Sequence, residues 1–271
     1  MPRATQWRPL GLVVTSMARV VPLTDTMKHA SAHPLFGRRR FLATTIGACA
    51  VPAADRLRAQ VGTKVAGALT KEERDRLTPS QVIESLQEGN TRFRTGTTSC
   101  RDYRDQRRSS AAGQFPAAVT LGCVDSRAPA EIIFDVGIGD IFSARIAGNV
   151  VNDDLLGSLE FACAVSGAKV ILLFGHTACG AIKGAIDDVE MGNLTGLLAR
   201  IKPAISATAF TGEKSSKNAA YVDAVARTNV VLGLEGIRRR SPLLADLEKK
   251  RTILLLGAMY DVSTGAADFL G

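Results

Sequence analysis

Two short segments of the sequence place thiol, imidazole and carboxylate groups close together. The first is Cys123-Val124-Asp125-Ser126-Arg127, and the second is His176-Thr177-Ala178-Cys179-Gly180. Two thiolates and one imidazole form a ligand set that favours zinc. His29 and His33 are the only other histidines, so chemistry that needs an imidazole in the rest of the chain depends on His176. The sequence therefore predicts a zinc site held by Cys123, His176 and Cys179.

The spacing of these residues also bears on the fourth ligand. His176 and Cys179 are three residues apart, so their side chains would share one face if the segment began a helix. A closed structural zinc site would need a fourth Cys or His. His176 is the only histidine after residue 33, and Cys100 and Cys163 have no partner at ligand spacing. The fourth position is therefore expected to be open or taken by Asp125. Either motif alone is also compatible with an ordinary buried cysteine.

The predicted elements bring both segments to one edge of a sheet. The apolar run 117–121, stopped by Gly122, predicts a buried strand that ends directly before Cys123. A second run of branched apolar residues, 169–174, ends just before His176. Parallel α/β sheets bind ligands at the carboxyl ends of their strands. We therefore expect the two segments to meet at that edge.

The other predicted elements alternate between helix and strand. Thr78 as N-cap and Pro79 as the first helical residue begin an N-terminal helical arm over residues 79–95. The further predictions are strands at 140–145 and 252–260, helices over 152–167 and 221–239, and a short helix that begins at Ser241-Pro242. This alternation indicates an α/β fold with a mainly parallel central β-sheet flanked by helices on both faces.

Composition and charge narrow the classes of function. The chain has 271 residues, of which 46% are hydrophobic and 22% charged, as expected for a globular domain with a substantial core. The net charge of +8 is concentrated in residues 1–54, which hold seven basic residues and one acid, leaving 27 basic and 25 acidic residues in the remainder. A nearly neutral body argues against nucleic-acid binding. An odd number of cysteines, five, in a chain of this length argues against a disulfide framework.

Residues 1–54 have the layout of an export leader. Arg38-Arg39-Arg40-Phe41-Leu42 precedes a short apolar run rich in small residues, and the pattern resembles a twin-arginine signal. The run is too short for stable membrane insertion. We therefore predict a leader with an upstream extension over 1–54, disordered or cleaved, a single domain over 55–271, and a periplasmic location. The alternatives are a merely basic terminus on a cytoplasmic protein and a lipoprotein cleavage site at Cys49.

Beyond the metal motifs, the body of the chain resembles the β-class carbonic anhydrases from about Leu77 to Leu270. The further segments that carry this resemblance are Gly89-Asn90-x-Arg92-Phe93, Arg145-Ile146-Ala147-Gly148-Asn149, Gly157-Ser158-Leu159-Glu160 and Tyr260-Asp261. The resemblance implies a zinc enzyme, a lyase that reversibly hydrates carbon dioxide to bicarbonate and a proton. It also implies a homodimer or a higher homo-oligomer.

The resemblance further implies roles for individual residues. Asp125 and Arg127 would form a catalytic pair, Gln114 would bind substrate through its amide, and Phe142 would form an apolar wall. Chemistry supports the pair, because a carboxylate held by Arg127 could accept a hydrogen bond from zinc-bound hydroxide without ligating the metal. The backbone at Gly180 would add a donor for bicarbonate oxygens if a helix begins there.

Two features set expectations for regulation and turnover. Thr120 stands where relatives with a regulatory bicarbonate pocket carry Trp, although Arg145 fits such a pocket. With His176 on the metal, no histidine of the body remains to transfer protons, so turnover is expected to depend on buffer. Two thiolates neutralise the charge of the ion, and activity is therefore expected to rise with pH.

Three alternatives remain at the level of sequence. Zinc-bound hydroxide attacks other small linear electrophiles, so a carbonyl sulfide or carbon disulfide hydrolase could use the same scaffold. A non-catalytic binding protein could retain zinc for stability alone. A redox role for Cys123 and Cys179 would require thiols free of metal.

Overall fold

A computed structural model of the protein describes residues 64–65 and 67–270. The predicted leader, with Arg38-Arg39 and Cys49, lies outside the described residues, as does the predicted domain start at residue 55. The leader and the export that it implies therefore stay predictions. No helix within the described ranges is long and apolar enough to cross a membrane.

A five-stranded mixed sheet forms the centre of the fold. Its strands are β3 (Ala118–Gly122), β4 (Ile141–Arg145), β5 (Val170–His176), β6 (Leu254–Tyr260) and β7 (Ala267–Leu270), and a separate parallel pair joins β1 (Lys64–Val65) to β2 (Cys100–Arg101). The order across the sheet is β4-β3-β5-β6-β7, in which β7 alone is antiparallel to its neighbour. The predicted mainly parallel sheet is confirmed. Strand β7 was not predicted, because four residues are too few to show a strand pattern.

Ten α-helices surround the strands in the described part of the chain: α1 (Lys71–Arg76), α2 (Pro79–Thr95), α3 (Tyr103–Ser109), α4 (Ala130–Ile133), α5 (Asp153–Glu160), α6 (Gly180–Ile186), α7 (Gly192–Ala199), α8 (Lys202–Ala207), α9 (Ala219–Arg240) and α10 (Pro242–Lys249). A 3-10 turn spans Ala147–Asn149, and a π-helical turn spans Phe161–Val165.

Local capping explains where several helices begin. Thr78 accepts a hydrogen bond from the Gln81 backbone in a capping box, and the Ser241 hydroxyl caps α10 by accepting one from the Leu244 N–H. The prediction of one helix over 152–167 was partly wrong. The α-helix ends at Glu160 and the chain continues as the π-helical turn, before Gly167 adopts a φ of +79°.

Each face of the sheet contributes to its own hydrophobic core. Leu121 and Leu173 point to the face that α9 covers, whereas Leu172 and Phe174 point to the face that α2 and α4 cover. All seven residues of β5 are buried, which explains its unbroken apolar sequence. Gly233 lets α9 approach closely, because a Cβ at this position would lie 2.6 Å from Leu173.

Candidate metal centre

The three predicted metal ligands meet at the carboxyl ends of β3 and β5. Cys123 directly follows β3, His176 is the last residue of β5, and Cys179 is the N-cap of α6. All three are buried, and their ligand atoms lie within 4.8 Å of one another. The two sulfur atoms are 4.0 Å apart. One strand end and one strand-to-helix turn thus supply the whole cluster.

The segment from His176 to Cys179 is a turn between a strand and a helix, and not the helical turn that the sequence spacing suggested. His176 still belongs to the strand, and Ala178 has a left-handed φ of +55°. The Ala178 N–H donates to Asp223 Oδ1 on α9 at 2.9 Å, and the Thr177 N–H donates to the Tyr260 carbonyl at 2.9 Å. The close approach of the two ligands therefore depends on a turn held between α9 and β6.

The hydrogen bonding of His176 selects the nitrogen that could bind a metal. Nδ1 lies 2.9 Å from the Thr177 carbonyl, which can only accept, so Nδ1 carries the proton. Nε2 is buried and has no hydrogen-bond partner among the described residues. Its closest carboxylate oxygen is Asp125 Oδ2, at 3.8 Å. An unpartnered imidazole nitrogen buried beside two thiols is the expected arrangement of a metal ligand.

This donor set fits zinc. Two thiolates about 2.3 Å from a tetrahedral zinc lie roughly 3.8 Å apart, and the observed separation of the sulfurs is 4.0 Å. The Asp125 carboxylate is not needed to complete the cluster of three. Tetrahedral coordination would therefore leave one position for a water or a substrate.

The two thiols of the cluster titrate as a pair. The hydrogen bond from Cys179 lowers the pKa of Cys123 to about 4 despite burial, and the neighbouring His176 imidazole shifts it in the same direction. The same contact with Cys123, together with burial, raises the pKa of Cys179. Burial alone would lower the pKa of His176, but the interaction with Cys123 outweighs it and raises this pKa. Cys123 is therefore the more acidic of the two thiols, and a bound divalent cation would favour the loss of both thiol protons.

Asp125 is held in place by Arg127. Oδ1 accepts hydrogen bonds from the Arg127 backbone N–H and from Nε, both at 2.9 Å, and Oδ2 accepts one from Nη2 at 2.7 Å. These hydrogen bonds lower the pKa of Asp125, although its partial burial opposes the shift. The carboxylate is therefore ionised at neutral pH, with Oδ2 directed toward the cluster and restrained from moving onto it.

Several residues that support the cluster were not assigned this role from the sequence. Arg145 donates through Nε to the Cys123 carbonyl at 2.9 Å and through Nη2 to the Asp125 carbonyl. The Gly148 N–H donates to Cys123 Sγ at 3.3 Å, and its φ of +65° favours glycine. Asn229 donates to the Gly148 carbonyl at 2.8 Å. Arg145 and Gly148 lie in a segment that carried the family resemblance, but Asn229 and Asp223 gave no local signal.

The predicted substrate-binding residues lie at different distances from the cluster. Gly180 begins α6 beside Cys179, and a Cβ there would meet nothing within 4 Å, so space is open at this point. Phe142 lies on β4, where it packs edge-to-face against Phe161 with ring centroids 6.2 Å apart. Gln114 is exposed before β3 and borders a surface depression with Gly139, which precedes β4. The chain therefore does not bring its own Gln114 to the cluster.

Comparison with known proteins identifies the family. The family model for carbonic anhydrase matches residues 118–267. Carbonic anhydrase 2 of Mycobacterium tuberculosis is 33% identical over 191 residues, covering 70% of this chain and 91% of that protein. A carbonic anhydrase of Mycolicibacterium smegmatis is 31% identical over 192 residues, covering 70% and 92%.

Solved structures show the same fold. A tetrameric β-carbonic anhydrase of Sordaria macrospora superimposes with a TM-score of 0.53 and 28% identity, covering 59% of this chain and 83% of that one. The β-carbonic anhydrase CafA of Aspergillus fumigatus gives a TM-score of 0.55 at 23% identity, covering 70% and 89%. The predicted fold class and enzyme class, a carbonic anhydrase of the lyase type, are confirmed. The chain belongs to the carbonic anhydrase family, within its β class.

Proposed function

We propose that Cys123 Sγ, His176 Nε2 and Cys179 Sγ hold one zinc ion and that the site reversibly hydrates carbon dioxide to bicarbonate and a proton. The observation that supports this proposal most directly is the buried, unpartnered Nε2 beside two thiol sulfurs that lie 4.0 Å apart. Zinc, when bound, would lower the pKa of a water molecule and so make a nucleophile available near neutral pH.

Asp125 would orient the reacting water. Its carboxylate is ionised, and Oδ2 faces His176 Nε2 at 3.8 Å, so it can accept a hydrogen bond from a water at the open position. Arg127 keeps this acceptor fixed with three donated hydrogen bonds. If that contact broke, Asp125 could become the fourth metal ligand and close the site.

The space above Gly180 would receive the substrate. The absence of a side chain leaves room there, and the backbone at the start of α6 would offer a donor to an oxygen of bicarbonate. Phe142, which packs edge-to-face against Phe161, is proposed as an apolar wall residue for the substrate. Because His176 is assigned to the metal, proton transfer to solvent would rely on buffer.

We also propose that the protein works as a homodimer or a larger homo-oligomer. Gln114 lies toward the amino ends of β3 and β4, away from its own chain's cluster, so it could bind substrate only in a neighbouring copy. The Sordaria macrospora relatives are described as tetrameric. Loss of activity on Gln114→Ala, with zinc content and mass unchanged, would support this role, whereas unchanged activity would exclude it.

Export to the periplasm is proposed from the Arg38-Arg39 pattern alone. Replacement of both arginines by lysine should retain the protein in the cytoplasm, as measured by fractionation of cells that express the full chain. Equal periplasmic amounts of the variant and the parent protein would contradict twin-arginine export.

The test of the central proposal is stopped-flow hydration of carbon dioxide on protein with a measured zinc content, over about pH 6.5 to 9. We expect one zinc per chain and a rate that rises with pH. Carbonyl sulfide and carbon disulfide should be assayed in parallel. Bound zinc with no carbon dioxide hydration, but with turnover of either gas, would replace the proposed substrate.

A further inference from the structure

A cleft of about 250 Å³ lies between α8 and the carboxyl-terminal half of α9. It is bordered by the end of the 3-10 turn at Asn149, by Pro203 and Ala204 of α8, and by the carboxyl-terminal half of α9. The cluster residues Cys123, His176 and Cys179 do not line it. The cleft is therefore separate from the proposed catalytic chamber and has no role in the mechanism above.

The rim of the cleft carries cations that the described residues leave unpaired. Arg200 and Arg239 line it, and neither forms an ion pair within the part of the chain that the structure describes. Arg240 is already bound to the Val151 carbonyl and to Asp153. Glu235 is the one carboxylate in the lining. Two free guanidinium groups against one carboxylate favour an anion.

The floor of the cleft is apolar and has a gap in its packing. Leu232 and Gly233 of α9 lie opposite Pro203 and Ala204. Gly236, in the same helix, also lines the cleft, and a Cβ there would meet nothing within 4 Å. Glycine inside a helix costs about 1 kcal/mol relative to alanine, and here its effect is to keep the cleft open.

We propose that this cleft binds a small organic carboxylate. The carboxylate would pair with Arg200 and Arg239, and the apolar body would lie on Leu232 and Gly233. The volume is below the roughly 300 Å³ at which drug-sized pockets begin, so the ligand has the size of a short-chain or single-ring acid. Asn149, which borders the cleft, directly follows Gly148, whose N–H donates to Cys123 Sγ. A ligand in the cleft would therefore lie close to the backbone that supports a proposed metal ligand.

The experiment uses benzoate as the probe and benzamide as its neutral counterpart. Binding to the zinc-loaded full chain is measured by calorimetry in a zwitterionic buffer. We expect benzoate to bind and benzamide to bind at least about tenfold more weakly, since one charged hydrogen bond contributes roughly that factor. Arg200→Ala and Arg239→Ala should each weaken benzoate binding by about tenfold.

Two further variants separate this cleft from other anion sites. Gly236→Leu should fill the cleft and abolish benzoate binding without removing a charge, while circular dichroism and zinc content stay unchanged. Arg94→Ala is the matched control, because Arg94 is an exposed arginine of α2 without an ion pair among the described residues. Benzoate binding that is absent, that persists in Gly236→Leu, or that falls equally in Arg94→Ala would overturn the proposal.

Discussion

Two aspartate–arginine clusters lie toward opposite ends of the central strands. At the carboxyl end, Asp125 is bound by Arg127, which is two residues away and has a side chain 51% exposed. At the amino end, Asp135 is buried and accepts hydrogen bonds from Arg92 of α2 at 2.6 Å and from the Ser99 hydroxyl at 2.8 Å. Arg101 adds a third contact to Asp135 at 3.4 Å.

The difference between the clusters indicates their roles. Asp135 joins three distant segments of chain, and its oxygens are used in holding them together. Asp125 joins nothing distant through its side chain, and its Oδ2 also faces the unpartnered His176 Nε2. A buried ion pair with long-range partners supports the fold, whereas a local pair that leaves an oxygen facing unsatisfied ligands supports chemistry.

The largest expected effect comes from removing a metal ligand. Cys179→Ala should lose nearly all bound zinc and all measurable hydration, because two ligands cannot hold the ion against solvent. Zinc per chain and stopped-flow rates measure this loss. Cys163→Ala is the matched control, since Cys163 is another buried thiol, whose pKa burial raises to about 12. Equal zinc content in the two variants would show that Cys179 does not bind the ion.

The second expected effect separates the two aspartates by activity. Asp125→Asn should lower the rate of hydration by roughly 10²–10⁴-fold, the contribution typical of a positioned acid–base group, while zinc stays bound. Its stability should change by less than about 1 kcal/mol, because Arg127 is half exposed. Full activity of Asp125→Asn would refute the assigned role.

The third expected effect is the converse, a loss of stability at Asp135. Asp135→Asn should lower the free energy of unfolding by about 3 kcal/mol at pH 7, because it removes the charge paired with Arg92 and the nearer of the two carboxylates beside buried Arg101. The folded, zinc-loaded variant should hydrate carbon dioxide at the rate of the parent protein. Urea denaturation measures the loss of stability, and stopped-flow assays on the same preparation measure the rate. A large loss of hydration rate in the folded variant would contradict a purely structural role for Asp135.

The same aspartate should give stability a dependence on pH. Burial alone would raise the pKa of Asp135, but Arg92, Ser99 and Arg101 outweigh it and lower the pKa. The stabilisation is therefore present above the unfolded-state pKa of about 4 and is lost as pH falls through the lower folded value. The difference in unfolding free energy between the parent protein and Asp135→Asn should shrink below about pH 4. A constant difference down to low pH would contradict this assignment.

The smallest expected effect concerns the turn beside the metal. Asp223→Ala should weaken zinc binding by about tenfold, because the Ala178 N–H loses its acceptor and the turn loosens. Competition with a chromophoric chelator measures the affinity. Asp223→Asn keeps an acceptor oxygen and should restore most of it, so equal losses in both variants would mean that charge, not the hydrogen bond, matters.

The sequence by itself determined most of the sheet and the identity of the candidate ligands. Unbroken apolar runs predicted β3 and β5 because strands buried on both faces need apolar side chains throughout, and Thr78, Asn152 and Ser241 predicted helix starts because capping is local. Cys123, His176 and Cys179 were predicted because few residue types bind zinc.

Only the tertiary structure decided how those ligands are held. Ala178 adopts a left-handed conformation, and its N–H donates to Asp223 on α9. Arg145 donates to the Cys123 carbonyl. These contacts join residues that are far apart in sequence. The tertiary structure also showed that Asp125 and Asp135 have different partners, and it placed Gln114 away from the metal cluster of its own chain. Such contacts depend on how helices pack on the sheet, and a local pattern of residues carries no information about a partner dozens of positions away.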